Sequence, residues 1–295
     1  MTSQDEGAPI VRTSQIRWAI ALSCAIALAV AGCLAPAATP RTEPTPFPTN
    51  ATVRLADAIA STLAQRTVRF EFGGIVTGSS QIRYGTRFSA IGTSALGEPH
   101  QMEMTADFAD LGLGTVTAIE DGDRMYLTGG FLDSILKPGR WVLIDPDTRD
   151  SEAQQIVEAT GRASDVAVVL YYLYGESGPV ALRPPQQLRG LPADRLVLTI
   201  DLERAADTVP DAVRQSVRGD IDALLEAGMK RTLEGEVWIQ QGLIRRVILT
   251  YSFEVLKGGG TLRVTYDFVD FGDPVSLELP DSDLVVPLED LLDRL

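Results

Sequence analysis

Residues 233–271 constrain the fold most strongly, because apolar and polar side chains alternate there through three consecutive segments. A period of two predicts strands with one buried face. Gln241-Gly242 and Gly258-Gly259-Gly260 separate the segments and predict tight turns. Connections this short join antiparallel neighbours. The apolar members share one face of the second and third strands: Val247, Leu249, Tyr251, Phe253, Leu262, Val264, Tyr266 and Phe268. An antiparallel sheet with one apolar face must be covered on that side.

The rest of the chain predicts a helix, a run of hairpin strands, two helices and then these closing strands. Leu55, Ile59 and Leu63 recur every four residues and predict a helix over 52–66. Similar apolar stripes predict helices over 164–174, with Ser164 as N-cap, and over 209–229. The other predicted strands cover 67–77, 81–91, 100–108, 113–120, 124–128, 140–144 and 195–201. The expected fold class is therefore α+β with an antiparallel sheet.

The amino terminus has the features of an export signal. Arg12 and Arg17 precede an apolar run over residues 18–29, which ends in Val30-Ala31-Gly32-Cys33. This ending resembles a bacterial lipobox, which implies attachment of diacylglycerol to Cys33 and cleavage before it. An uncleaved transmembrane anchor over residues 18–36 is the alternative, at the lower length limit for a span. Both interpretations place the remaining chain outside the cytoplasm.

Three regions follow from this pattern. Residues 1–32 are the expected signal peptide, residues 33–50 hold the lipidated Cys33 and a Pro/Thr-rich linker, and residues 51–295 form a single domain. The linker favours extended polyproline II and could reach on the order of 50 Å. Cys33 is the only cysteine left after cleavage, so no intramolecular disulfide can form. A buried core must therefore stabilise the domain.

Composition argues against several functions. The net charge is −14, with 40 acidic and 26 basic residues, which disfavours nucleic acid as a partner. His100, the only histidine, begins a predicted strand, and we expect it at the surface. We find neither a phosphate-binding nor a dinucleotide-binding motif, and we expect no metal or cofactor. The acidic pairs lie at predicted turns and lack the spacing of a calcium loop: Asp121 and Asp123, Asp145 and Asp147, Asp281 and Asp283.

The apolar sheet face is the feature that carries functional content, and it allows two interpretations. The first is an ordinary core covered by the helices over 52–66 and 209–229. The second is an apolar hollow that holds an acyl chain, each buried methylene contributing about 0.8 kcal/mol.

Several stretches resemble the LppX/LprG-type lipoproteins of mycobacteria and, more distantly, the LolA lipoprotein carriers. They are 235–239, 242–247 and 266–275, together with Gly139-Arg140-Trp141-Val142 and the turn at 121–126. The resemblance covers about residues 52–286, and residues 183–187 and 288–295 lie outside the alignable pattern. It implies a curved antiparallel half-barrel with helices packed across its open, concave side. It also implies carriage or presentation of a lipid, and it brings no catalytic residues.

The function predicted is that of a membrane-anchored lipoprotein on the outer face of the cytoplasmic membrane, binding a lipid or acylated ligand without catalysis. An envelope transporter or another protein is a further candidate partner. The alternatives are a sensor or interaction module on the same fold and, more remotely, a hydrolase using acidic residues. Alternation alone gives the candidate lining residues: Phe70, Phe72, Met102, Met104, Leu249, Tyr251, Phe253, Leu262, Val264, Tyr266 and Phe268.

Overall fold

The computed structural model describes residues 49–78, 85–97, 99–148, 166–226, 228–255 and 258–292. The predicted signal peptide, Cys33 and the linker up to residue 48 lie outside the described residues, as does Ser164. The helices are α1 (Thr49–Leu63), α2 (Val166–Tyr172), α3 (Leu202–Thr208), α4 (Asp211–Glu226) and α5 (Leu288–Leu292). The strands are β1 (Thr67–Thr77), β2 (Thr86–Ala95), β3 (Gln101–Asp107), β4 (Thr115–Asp121), β5 (Arg124–Gly129), β6 (Trp141–Ile144), β7 (Ala181–Leu188), β8 (Leu191–Asp201), β9 (Thr232–Gln240), β10 (Leu243–Val255), β11 (Gly258–Phe271) and β12 (Val285–Pro287).

Within the described residues the strands form one open sheet in the order β12-β6-β5-β4-β3-β2-β1-β11-β10-β9-β8-β7. Every neighbouring pair is antiparallel except β12 and β6, which run parallel at one edge. The predicted α+β half-barrel with a mostly antiparallel sheet is therefore confirmed. The expectation that all strands are antiparallel is wrong for β12. A long connection follows β11 and brings the chain to the far edge of the sheet, where β12 pairs with β6 in parallel.

The two faces of the sheet differ as the alternation predicts. The inner face carries the apolar members of β1, β10 and β11, and the helices pack against it. In α1, Leu55 and Ile59 are buried against this face. The Thr62 hydroxyl ties α1 to β10, because it donates to the Ala58 carbonyl at 2.7 Å and accepts the Ile244 N–H at 2.9 Å. The inner face is thus covered at its centre by helix.

Two predicted helices have different bounds in the structure. α1 begins at Thr49 and ends at Leu63, three residues earlier at each end than predicted. The helix predicted over 209–229 is confirmed as α4, which begins two residues later and ends three residues earlier, whereas α3 was not predicted. Asp201 caps α3 by accepting the Arg204 N–H at 3.1 Å. Pro210 lacks an N–H and so favours a new helix start there.

Strand predictions were accurate in the closing hairpins and less so elsewhere. β1 and β10 have the predicted bounds, whereas β2 covers Thr86–Ala95 instead of 81–91. Gln241 and Gly242 both have positive φ, as a two-residue hairpin turn requires. Gly258-Gly259-Gly260, predicted as a turn, belongs to β11, so the chain reverses before it.

The two segments without a place in the sequence pattern form the edges of the sheet. β7 contains Pro184-Pro185 and is displaced by a bulge between Arg183 and Gln186. Proline is tolerated on an edge strand because no neighbour needs its missing N–H. At the other edge α5 follows β12, and Leu291 is fully buried there. Both edges are thereby protected from pairing with other chains.

Two glycines let aromatic rings lie flat on the inner face. A Cβ on Gly74 would lie 2.2 Å from Phe88 Cζ. A Cβ on Gly92 would lie 2.3 Å from the Glu103 carbonyl oxygen and 2.9 Å from Phe70 Cζ. Neither position has room for a side chain, so both glycines are required by packing.

Candidate functional site

The structure places all the predicted lining residues on the inner face, inside or against one continuous hydrophobic cluster, the main cluster. Eight of them are buried: Phe70, Met102, Leu249, Tyr251, Phe253, Leu262, Val264 and Phe268. Phe72, Met104 and Tyr266 are half-buried and pack against the same cluster. Alternation therefore found the correct face. That these residues contact a ligand stays a prediction.

A patch of very small residues interrupts the inner face on β2, β3 and β4. Ala90 lies opposite Ala106, and Gly92 lies opposite Met104, which in turn lies opposite Ala118. We call Ala90, Gly92, Ala106 and Ala118 the small-residue stripe. The three alanines are at most 4% exposed. The Phe70 ring occupies the space above Gly92, so any space that the small side chains leave lies above the three alanines.

The stripe separates two hydrophobic clusters on the same face. The main cluster lies over β1, β2, β8–β11 and, through Met102, β3, and a second one, the edge cluster, lies over β5 and β6. The edge cluster includes Met125, Val142 and Leu291. Among the described residues the stripe alanines belong to neither cluster, whereas half-buried Phe131 packs against both. Between the two clusters the inner face is therefore lined mainly by small side chains, with Met104 and Val116 among them.

Aromatic rings border the stripe on the side of the main cluster. Phe108, Phe88, Phe72 and Tyr266 form a chain of ring contacts, with successive centroids 6.2, 6.1 and 5.8 Å apart. Phe72 lies directly opposite Ala90 in the register of β1 and β2. Aromatic faces and methionine sulfur adapt to flexible apolar groups, so this border suits an alkyl chain.

Polar groups on this part of the inner face are phenols. Burial raises the pKa of Tyr266 to about 12. Burial also raises the pKa of Tyr251 well above its ordinary value, and the neighbouring phenols Tyr266 and Tyr172 add to the rise. Tyr172 comes from α2, so strands and helix contribute to one group of hydroxyls. Tyr251 and Tyr266 therefore stay neutral at physiological pH.

His100 is not the surface residue that the sequence suggested. Its side chain is 16% exposed, and its Nε2 lies 3.2 Å from Oε2 of Glu120. Glu120 is 5% exposed and lies between Met102 and Met125 in the register. The sequence gave no sign that Glu120 is buried, because its place on the apolar inner face follows only from the register of β3 and β4. The His100–Glu120 pair is therefore a polar group beside the small-residue stripe.

The outer face is polar and held together by ion pairs. Glu236 accepts hydrogen bonds from Arg195 Nε and from Arg263 Nη2, each at 2.9 Å. Arg246 binds Asp267 through two hydrogen bonds of 2.7 and 2.8 Å. Burial raises the pKa of Glu236, but the hydrogen bonds from the two arginines outweigh it, and the pKa lies below its ordinary value. This network fixes the alignment of β8 to β11.

A depression of about 880 Å³, the outer trough, crosses the outer face from β11 over β1 to β2. Thr265, Gly73 and Ser89 are aligned along its floor. Its two sides are formed by Arg263, Ile75 and Arg87, and by Asp267, Glu71 and Ile91. A Cβ on Gly73 would meet no atom closer than 3.4 Å, so packing does not require glycine there. The missing side chain keeps the trough open.

The acidic pairs behave as turn residues where the structure shows their contacts. Asp145 accepts the Asp147 N–H at 2.9 Å and pairs with Arg124 at 3.1 Å. Among the described residues, no three His, Cys, Asp or Glu side chains are grouped as a metal site would need. No helix in the described ranges is both long and apolar enough to cross a bilayer.

No protein-family model matches the chain, and no curated protein matches it in sequence. The fold is similar to solved lipoprotein structures. Lipoprotein LppX of Mycobacterium tuberculosis shares 14% identity over 77% of this chain and 98% of its own, with a TM-score of 0.43. LprF from Mycobacterium bovis shares 15% identity over 79% and 98%, also at 0.43. A LolA superfamily protein from Nitrosomonas europaea shares 9% identity over 75% and 94%, at 0.27.

LppX and a LolA superfamily protein, which belong to the two groups named from the sequence, are thus among the solved structures that the chain matches. The case for a function rests on the residues of this chain. Sequence reasoning missed the small-residue stripe and Tyr172, because small residues in a strand carry no periodic signal and α2 is short. The alternation of Ala90 and Gly92 with Ser89 and Ile91 is the one signal that could have indicated the stripe.

Proposed function

We propose that this protein is a lipid-anchored, extracytoplasmic binding protein without catalytic activity. It takes the acyl chains of a lipid or lipidated molecule between its inner face and its helices, for transport or presentation. Cys33 carries the anchor, and the linker holds the domain away from the outer face of the cytoplasmic membrane. The partners are the acyl ligand, the membrane through this anchor, and an envelope transporter or other protein that receives the ligand.

The small-residue stripe is the observation that carries this proposal. An ordinary core would fill the whole inner face with large side chains, because interiors are close-packed, and the half-buried Phe131 does pack against both clusters. On the sheet itself, however, Ala90, Ala106 and Ala118 stand between the clusters, together with Gly92, which the Phe70 ring covers. An alkyl chain lying over them would gain about 0.8 kcal/mol per buried methylene. The candidate lining residues Phe72, Met104 and Tyr266, half-buried beside the stripe, would contact the same chain.

Lipid content of the purified full-length protein tests the binding. Native mass spectrometry should show a non-covalent adduct, and solvent extraction should release a lipid of the same mass. After delipidation, the protein should take up a fluorescent C16 acyl probe at about one per chain. A protein that carries no lipid and takes up no probe would contradict the proposal.

A separate experiment tests the anchor. Cells that express the full chain are fed an alkyne-tagged palmitate, and the protein is compared with its Cys33→Ala variant. The label should appear on the wild type and in the membrane fraction, and it should be absent from the variant. Equal labelling of both proteins would contradict lipidation at Cys33, while the acyl-binding test would stand unaffected.

The outer trough favours one alternative, a sensor or interaction module on the same fold. Ile91 is 62% exposed at its side, and Gly73 leaves its floor open. A Gly73→Gln variant would fill the trough without touching the inner face. If the module function holds, cross-linking in cells should recover one stoichiometric partner from the wild type only, and acyl-probe uptake should be absent in both.

A further inference from the structure

Two tyrosines stand on neighbouring strands of the inner face. Tyr251 of β10 lies opposite Leu262, and Tyr266 of β11 lies opposite Val247 and Phe72. Tyr251 is 6% exposed, and Tyr266 is half-buried, with its ring 5.8 Å from that of Phe72. Both phenols therefore lie in the apolar interior, beside the aromatic border of the stripe.

Their surroundings are mostly apolar, and Tyr172 of α2 is a polar neighbour. Within the described residues, neither the Tyr251 nor the Tyr266 hydroxyl makes a hydrogen bond. The other described inner-face residues of β10 and β11 from Val247 to Phe268 are aliphatic, phenylalanine or glycine. Neither hydroxyl oxygen is enclosed completely, so a group from outside the chain can still reach it, whereas phenylalanine would fill the same space without offering a donor. Two such hydroxyls indicate a binding point for a polar group.

The chemistry of this group follows from the donors. Both phenols stay neutral, because burial raises the pKa of Tyr266 to about 12 and that of Tyr251 well above its ordinary value. Neither strand presents a Lys or Arg on this stretch of the inner face. A carboxylate or phosphate would lack a cation there. A neutral acceptor such as a carbonyl oxygen fits the site better.

We propose that Tyr251 and Tyr266 donate hydrogen bonds to the carbonyl oxygens of ester-linked acyl chains, so that the protein selects acyl esters over ether lipids. This inference rests on the proposed acyl-chain binding and adds a point of chemical recognition to it. The alkyl chains then extend from the carbonyls over the small-residue stripe.

Two lipids that differ only in the carbonyls test the inference. Delipidated full-length protein is loaded with the fluorescent acyl probe, which is displaced by 1,2-dipalmitoylglycerol or by its 1,2-dihexadecyl ether. The ester should displace the probe at a concentration about 3- to 10-fold lower for each hydrogen bond made. The Tyr251→Phe/Tyr266→Phe double variant should lose this preference by weakening ester binding alone. A Tyr126→Phe variant, on the opposite face of β5, should keep it.

The outcomes separate this inference from the proposed function. If the wild type takes up neither the probe nor either lipid, acyl binding itself is refuted. If it binds ester and ether equally, only the role of the phenols is overturned, and no variant is needed for that result. If the double variant keeps the ester preference, or loses both lipids equally at unchanged thermal stability, the assignment to Tyr251 and Tyr266 is overturned.

Discussion

The Ala118→Leu variant distinguishes a filled interior from a hollow one. It should lower the free energy of unfolding if the interior is filled, and leave it unchanged or raise it if the interior is hollow. Ala118 is 4% exposed and lies in the stripe between Met104 of β3 and Leu127 of β5. Leucine adds three carbon atoms on the inner face. In a filled core such an insertion costs about 1–3 kcal/mol. Over an empty space the same atoms gain about 0.8 kcal/mol for each carbon they bury, for a total of up to about 2 kcal/mol.

The expected result is that Ala118→Leu leaves the free energy of unfolding of the delipidated protein unchanged or raises it by up to about 2 kcal/mol. The same variant should take up less acyl probe, because leucine occupies the space of the ligand. Urea unfolding followed by circular dichroism measures the first quantity, and probe fluorescence measures the second.

Ala205→Leu is the matched control. Ala205 is fully buried in the main cluster, and its Cβ lies 2.8 Å from the position that a Cβ on Gly175 would take. This variant should lose about 1–3 kcal/mol. If Ala118→Leu is destabilised as much as the control, the space above the stripe is already filled and the reasoning for a hollow fails.

Three further predictions concern stability and association. Gly92→Ala should destabilise the protein by about 1–3 kcal/mol through its backbone clash, whereas Gly73→Ala should be neutral or stabilising by about 0.5 kcal/mol; equal urea midpoints would contradict this contrast. Asp201→Ala should cost about 1–2 kcal/mol at pH 7 by removing a helix cap. Burial raises the pKa of Asp201, but hydrogen bonds from an arginine and from the helix outweigh it and lower the pKa, so the carboxylate stabilises the fold above its unfolded pKa. This loss should therefore shrink as the pH falls below about 4, and a loss independent of pH would count against the assignment. Replacing Pro184 and Pro185 with threonine should expose a pairing edge and increase the sedimentation coefficient with concentration; a strictly monomeric variant would show that the prolines do not protect β7.

The closing strands were predictable because each carries its own signal. In β10 and β11 a long apolar alternation coincides with turn residues at Gln241-Gly242, and the bounds of β10 were correct. The apolar face of the half-barrel follows from that alternation. All the candidate lining residues consequently lie on the inner face, since a period of two assigns faces even where it does not assign contacts.

The remaining features depend on tertiary context. β7 contains two prolines and reads as a loop until its position at the sheet edge is known. α3 was missed because it is only seven residues long and follows β8 directly, so a helical period has too few turns to show. The burial of Glu120 beside His100 and the alignment of the small-residue stripe depend on the pairing of β2, β3 and β4, which the sequence of each strand does not specify.

A crystal structure of the full-length protein with a bromine-tagged palmitoyl ester tests the central claim most directly. Anomalous scattering locates the bromine without reference to the rest of the ligand. The account predicts a peak on the inner face above Ala90 and Ala118, between the main and edge clusters. Side chains filling that space, with the bromine elsewhere or absent, would contradict it.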